Sequence, residues 1–527
     1  MVWKSTKSSS SQVNKQIILL GDPISSNQIM TLYSYLVLLG VATILAKIIY
    51  NTWFHPLSKF PGPFLASQTD LWRVYQLTTR HMPETLLQLH EKYGPVVRYG
   101  PNELSFWGVE AINPIYKSGR KVLKSNFYDG FTTFHPNLFG TKDEELHAKR
   151  RRQMAHSFST ASLTQMESIF DRRINHLVRT MDSFGDTPFD LKEMMGYYTY
   201  DLMGELIFNA EFGTMQAQDP QNLPPINEHI FLGCMYGMLP SLLPYSMQLF
   251  PRIPLPWLQR LMAGRKKLRD QTAKHVAVEL AKDKTEIRHN ILSRLTHAKD
   301  PETGEELTEA EISSEAFAFL VAGSHTTSGT LTLLFYHLLH NPTAAEKLTD
   351  ELKLNGWLEE VPDPNKDDKS LSYSGLEMQL PYATACIRES YRMSPVFSMP
   401  LPRVICDPAG TDIDGHHIPQ GANCSIVNHA LHHNPKTWGD DHDVFRPERW
   451  LEEGNTLSTN DLLPFGTGHR GCIGRNIASM SVIKVLVTLW RRYELEAVDA
   501  DEKLILESVG IGEKEGPLIV KARVRTS

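Results

Sequence analysis

Paired cysteines are missing from this chain. Its 527 residues hold five, Cys234, Cys386, Cys406, Cys424 and Cys472, an odd number, scattered and without a CxxC motif. That speaks against a disulfide framework and fits a reducing compartment. A strong charge of either sign is also lacking. The formal net charge of -6 gives no reason to expect nucleic acid as a partner. No internal repeat, low-complexity tract or second composition class divides the chain. The simplest reading is one large, mainly α-helical domain with a minor β part.

One absence is local. Pro23 to Ala46 (PISSNQIMTLYSYLVLLGVATILA) carries no formal charge, and Lys47 ends the run. About 20 apolar residues suffice to span a bilayer as a helix. Lys4, Lys7 and Lys15 would suit the basic region of a cleaved signal peptide. The apolar run, however, is long, starts late and lacks a small-residue cleavage site, so a retained anchor at about 29–50 is expected. Lysines on both sides leave its orientation open. The expected organisation is an N-terminal segment 1–52 with the anchor, a proline-rich hinge 53–66, and a large domain 67–527.

What is present then becomes informative. WFHPLSKFPGPFLAS, Trp53 to Ser67, crowds Pro56, Pro61, Gly62 and Pro63 together, which suits a stiff spacer that is neither helix nor central strand. Tyr93 to Gly108 reads as a hairpin around a Gly-Pro-Asn turn. From about Lys142 to Leu352 the pattern is mostly helical, and short β-prone runs return at Val404 to Ile426. One long helix starts at the capping box Thr308-Glu309-Ala310-Glu311 and runs to His340, before Asn341-Pro342. Its centre, AGSHTTSG (Ala322 to Gly329), is full of residues that weaken helices. Either small residues admit a close neighbour there, or the stretch has a chemical task.

Cys472 lies in PFGTGHRGCIGRN, Pro464 to Asn476. Zinc binding with His469 lacks a second close Cys/His pair. A nucleophilic cysteine lacks a local base. A buried inert thiol is the common fate of a free cysteine, but it explains neither the glycines nor Arg470. A haem thiolate ligand accounts for all of them. Loop N–H groups temper the sulfur's charge, glycines let the backbone approach a flat macrocycle, and Arg470 suits a propionate.

Phe465 to Gly474 (FGTGHRGCIG) resembles the FxxGxRxCxG signature of the cytochrome P-450 haem-thiolate family. Glu389-Ser390-Tyr391-Arg392 resembles its ExxR helix, and Phe445 to Trp450 (FRPERW) its PERF/PERW segment. Ala322 to Thr327 (AGSHTT) resembles its central AGxDTT helix. WFHPLSKFPGP resembles the hinge of fungal, membrane-anchored members. The likeness runs from about Phe54 to the C-terminus. It implies a cytochrome P-450 fold preceded by one transmembrane helix, with 67–527 as the haem-binding catalytic domain.

The resemblance implies that Cys472 binds the iron of haem b, with Phe465, Arg470 and Gly474 around it. Glu389, Arg392 and Arg449 would form a buried network bracing that loop; without the resemblance, an i,i+3 pair of this kind reads as a weak surface contact. His147 and Arg151, one turn apart, match the family's WxxxR position, with His in place of Trp. Arg403 is a further propionate candidate. The other cations of Lys149 to Arg152 read mainly as a solvated face that could attract an acidic redox partner. Ala322 and Gly323 would leave room for dioxygen beside the Thr326 hydroxyl. His325 stands where the family usually has an acid; it is either a proton relay or a satisfied core histidine.

The implied partners are an NADPH-cytochrome P-450 reductase, cytochrome b5, a small apolar substrate and a membrane. The implied location is the endoplasmic reticulum, single-pass, with the catalytic domain facing the cytosol. Ser125 to Gly140, Ile230 to Phe250 and Val396 to Met399 are candidate pocket or entrance segments, though core or membrane contact explains them as well. The expected activity is oxygen insertion (hydroxylation or epoxidation) into an apolar substrate in fungal secondary metabolism. Oxidative coupling, desaturation or isomerisation without oxygen insertion stays open because of His325. A non-catalytic haem binder or gas sensor is the more distant alternative.

Overall fold

The computed structural model describes residues 26–132, 134–282, 290–365, 371–454 and 461–525. The chain divides between Ser58 and Lys59 into two units. The first holds helix α1 (Ser26–Ile49), which continues into a π-helical turn, Tyr50–Phe54. Ile29–Phe54 is long and apolar enough to cross a membrane, and none of its most apolar window is buried. Its hydroxyls are satisfied inside the helix: Thr31, Ser34 and Thr43 donate to the carbonyls four residues before them, as a lipid environment demands. Lys4, Lys7 and Lys15 lie outside the described residues.

The proline-rich stretch departs from a uniform spacer. Trp53 and Phe54 belong to the π turn, and Phe64–Gln68 forms a short helix, α2. Pro63 sits just before it with extended backbone; nothing after that residue bars a helix. The second unit begins at Lys59.

Within the second unit the expected β parts appear. β1 (Val96–Gly100) and β2 (Glu103–Phe106) form an antiparallel hairpin around Pro101-Asn102. They join β3 (Val122–Lys124), β5 (Arg403–Ile405) and β8 (Asn423–Ile426) in a sheet of order β1-β2-β8-β5-β3. β4 (Phe189–Asp190), β12 (Ile519–Val524) and β9 (Tyr493–Ala497) make a second sheet. β6 (Thr411–Ile413) pairs with β7 (His416–Ile418), and β10 (Leu506–Ser508) with β11 (Gly512–Lys514).

The helices that build the site are α3 (Glu144–Ala155), α4 (Leu191–Phe208), α5 (Ile226–Met238), α6 (Glu309–Leu339), α7 (Pro381–Met393) and α8 (Arg475–Arg492). α6 starts where the capping box requires: the Thr308 hydroxyl accepts from Glu311 N at 3.3 Å, and Glu311 Oε2 accepts from Thr308 N at 2.9 Å. Its 31 residues reach about 46 Å. Two apolar clusters share it. Ile312, Ala316 and Leu320 belong to one, and Phe317 and Val321 to the other. A helix apolar on both sides is an interior helix, so its polar centre is held in the middle of the unit.

Candidate functional site

The loop before α8 turns on Gly466 (φ +64°) and Gly468 (φ +68°), a conformation that side chains disfavour. A Cβ on Gly468 would also stand 3.0 Å from the Tyr116 carbonyl oxygen. Cys472 N donates to Phe465 O at 2.8 Å and closes the loop. Gly474 is the N-cap of α8. The N–H groups of Gly474 and Arg475 point at the Cys472 sulfur. Burial pushes the thiol up, while those two N–H groups and the Arg151 and Arg475 charges pull it partly back. Cys472 nevertheless keeps exposed surface. A group that is both deep and accessible faces open space inside the molecule.

A buried ion network stands behind this loop. Glu389 accepts from Arg392 (Nη2–Oε1 2.8 Å, Nε–Oε2 3.0 Å), Arg449 Nε (2.9 Å), Trp450 Nε1 (2.9 Å) and Arg446 N (3.0 Å). Arg392 also donates to the carbonyls of His432, His442 and Val444. Arg449 donates to those of Trp438 and Asp441. All three charged side chains are buried, so the weak-surface-pair reading does not apply. Tyr391, between Glu389 and Arg392, packs edge-on against Phe465 at 5.5 Å and ties α7 to the cysteine loop.

A cationic cluster lies on the other side. Arg151 Nη1 donates to Gly471 O at 2.7 Å. Arg470 donates to Glu144 Oε1 (2.7 Å) and Thr141 O (2.7 Å). Arg403 is buried, donates to the Tyr128 hydroxyl, and lies over the Tyr116 ring at 5.0 Å. Lys124 joins them: buried, it donates to Phe139 O at 2.5 Å. Burial, then Arg403 and Arg470, hold its amine well below the usual lysine range, with Glu144 opposing. His147 is held neutral, down to about 2, by burial and the cations Arg470, Lys124 and Arg151. Lys124 was not legible in the sequence, because a single lysine in a short β-prone run carries no sign that the fold will bury it beside two arginines.

The basic run on α3 is not a solvated face. Arg150 is fully buried, paired with Glu311 at 2.9 Å. Arg152 pairs with Asp300 (2.9 Å) and Glu302 (3.0 Å), and Lys149 with Glu305. Acids from the chain ahead of α6 and from its first turn neutralise these cations, which leaves them little to offer an acidic partner.

At the centre of α6 both glycines serve packing. A Cβ on Gly323 would meet Met203 Sδ at 2.3 Å, and one on Gly329 would meet Gly512 O and Val396 Cγ1 at 3.2 Å. Gly323 thus makes room for Met203 of α4; of that pair Ala322 is exposed and Gly323 half-buried. Ser324, Thr326 and Ser328 bond to helix carbonyls, Thr326 Oγ1 donating to Ala322 O at 2.5 Å. His325 differs: its Nε2 is buried and has no hydrogen-bond partner among the described residues. Burial lowers its pKa; Glu513 opposes that and Lys192 adds to it.

Two of the candidate pocket segments, Ser125 to Gly140 and Val396 to Met399, share aromatic contacts that form a wall. Phe131 meets Phe127 at 5.6 Å and Phe139 at 5.3 Å, Phe139 meets Phe397 at 6.3 Å, and Phe134 meets Phe317 of α6 at 6.1 Å. The β10–β11 tip adds Val509 and Ile511. Ser398 is occupied by Ser508 Oγ at 2.7 Å.

A cytochrome P-450 family model matches residues 63–522. The chain belongs to the cytochrome P-450 family. A cytochrome P-450 monooxygenase of Emericella nidulans is 31% identical over 481 residues, 86% of this chain and 91% of the relative. A benzoate 4-monooxygenase of Aspergillus niger is 30% identical over 84% of this chain and 88% of its own. A pisatin demethylase of Fusarium vanettenii is 29% identical over 88% and 89%. The mainly α cytochrome P-450 fold is thereby established, and the chain is an oxidoreductase of the monooxygenase class. Membership brings a haem iron with a thiolate ligand, dioxygen, electrons from a redox partner and an apolar substrate. The residues present fit a haem: a sulfur with aimed N–H donors, the guanidinium groups of Arg151, Arg403 and Arg470 suited to two carboxylates, and an accessible Ala322 on α6, which packs against α8.

Proposed function

We propose that this protein is a membrane-anchored monooxygenase that inserts one oxygen atom of O2 into an apolar, aromatic substrate in fungal secondary metabolism. Bound through Cys472, haem b would supply the oxygen chemistry. Gly474 and Arg475 N–H would temper the thiolate. Arg151, Arg403, Arg470 and Lys124, with neutral His147, would hold the propionates. The Glu389–Arg392–Arg449 network would fix the loop that presents Cys472. Ala322 would leave space at the distal face, Thr326 would steady a water there, and His325 would pass protons to it. The single observation that carries this reading is the deep yet accessible Cys472 sulfur under two N–H donors.

Electrons would come from an NADPH-cytochrome P-450 reductase, with cytochrome b5 as a second donor. The segment 1–52 would anchor the chain in the endoplasmic reticulum, and the catalytic unit would face the cytosol. That unit offers a surface suited to lipid: Phe64, Leu65, Leu71 and Tyr75 on one stretch, and Leu242, Tyr245, Leu249 and Trp257 on another, are large apolar residues left exposed. The aromatic wall favours ring substrates, and the names of two relatives suggest benzoate and pisatin as first probes. With reductase, NADPH and isotopically labelled O2, label in a product supports the reading. A coupled or rearranged product without label would replace it with the non-inserting alternative.

A further inference from the structure

The unpartnered His325 nitrogen has a neighbour from the far end of the chain. β11 runs along α6 at Gly329, close enough that Gly512 O would stand 3.2 Å from a Cβ there. His325 is one helical turn before Gly329 and shares its face. Next to Gly512, Glu513 holds a carboxylate that accepts from Asn227 Nδ2 of α5 at 2.9 Å and lies 3.3 Å from Lys192 Nζ of α4. Glu513 is about one-fifth exposed and Lys192 about one-quarter, so this group reaches water. Burying a ring nitrogen without a partner is costly; a site that takes up and gives away protons is one reason to keep it.

We infer that Glu513 is the carboxylate partner of His325, and that Glu513, Lys192 and Asn227 form the entrance through which solvent protons reach the distal side of α6. The acid that α6 lacks at His325 is supplied from the C-terminal hairpin instead. Glu513 and Lys192, from the two elements beside it, are the charges that act on His325, with opposite signs. Lys192 Nζ also donates to Lys514 O at 2.6 Å, which fixes it across the mouth of this entrance. The inference rests on the reading of α6 as the distal wall.

The test uses the full-length holoenzyme in lipid nanodiscs. Deuterium exchange at the imidazole C2 carbon, followed by mass spectrometry across pH, titrates His325 individually. E513Q is expected to move that titration to lower pH and K192Q to move it higher, both keeping the thiolate carbon monoxide band. With NADPH and reductase and no added substrate, E513Q, His325→Phe and the double variant are each expected to consume NADPH about tenfold more slowly than wild type, the double no slower than the singles. An unshifted titration, a wild-type rate in E513Q, or additive slowing overturns the inference. Should E513Q lose its haem, an unshifted titration in K192Q does so alone. A wild-type protein without the thiolate band defeats the proposed function instead, whatever His325 does.

Discussion

Glu315 sits on α6 three turns before Thr326, fully buried, with Arg150 Nη1 3.9 Å away and the Leu138 N–H as its polar neighbour on the backbone. Burial raises its pKa from an ordinary 4.5 to about 7. The folded chain therefore keeps a proton that the unfolded chain releases between those two values. Stability from this group is complete below pH 4.5 and is lost as pH rises through 7. At pH 8 the deficit is 2.5 pH units, from the two values above, or about 3 kcal/mol at 1.36 kcal/mol per unit. Glu315→Gln keeps the shape and removes the titration. Urea unfolding of both proteins at pH 5 and pH 8, read by tryptophan fluorescence, is the assay. The variant should match wild type at pH 5 and exceed it by about 3 kcal/mol at pH 8. Equal pH dependence in the two proteins would refute the assignment of a buried, protonated Glu315.

Other outcomes follow from the same contacts. Glu389→Ala removes the buried carboxylate that Arg392 and Arg449 share and leaves Arg449 with Asp441 at 3.3 Å, at a cost of about 3–5 kcal/mol, so the purified chain should carry little haem; full haem content would show that the network does not brace the loop. Gly323→Ala forces its new methyl onto Met203 and should destabilise by about 1–3 kcal/mol, and in a Met203→Ala background the same substitution should cost little in thermal melts. Absence of such coupling would free Gly323 for another role. Lys124→Met removes a buried amine from beside Arg403 and Arg470. It should raise the melting temperature of the haem-free protein, yet speed haem transfer to apomyoglobin about tenfold; a loss rate equal to wild type would separate Lys124 from the cofactor.

The parts of this molecule that were legible in the sequence are those written in local pattern. The capping box at Thr308, the hairpin around Pro101-Asn102, the glycine loop at Cys472 and the apolar α1 each depend on neighbours a few residues away. What escaped depends on distance along the chain. The pairing of Arg152 with Asp300 and Glu302, the burial of Lys124, and the approach of Gly512 to Gly329 are set by packing of remote elements. The same holds for Gly323: its composition said only that something came close, and the fold decided that this was Met203. Glu513 could not be associated with His325 without knowing that β11 lies along α6.

The central claim is that Cys472 holds the haem iron. The carbon monoxide difference spectrum of the reduced full-length protein tests it most directly, for wild type and Cys472→Ala. A strongly red-shifted Soret band in wild type, lost in the variant, is the predicted result. An imidazole-type band unchanged by the substitution would contradict the account.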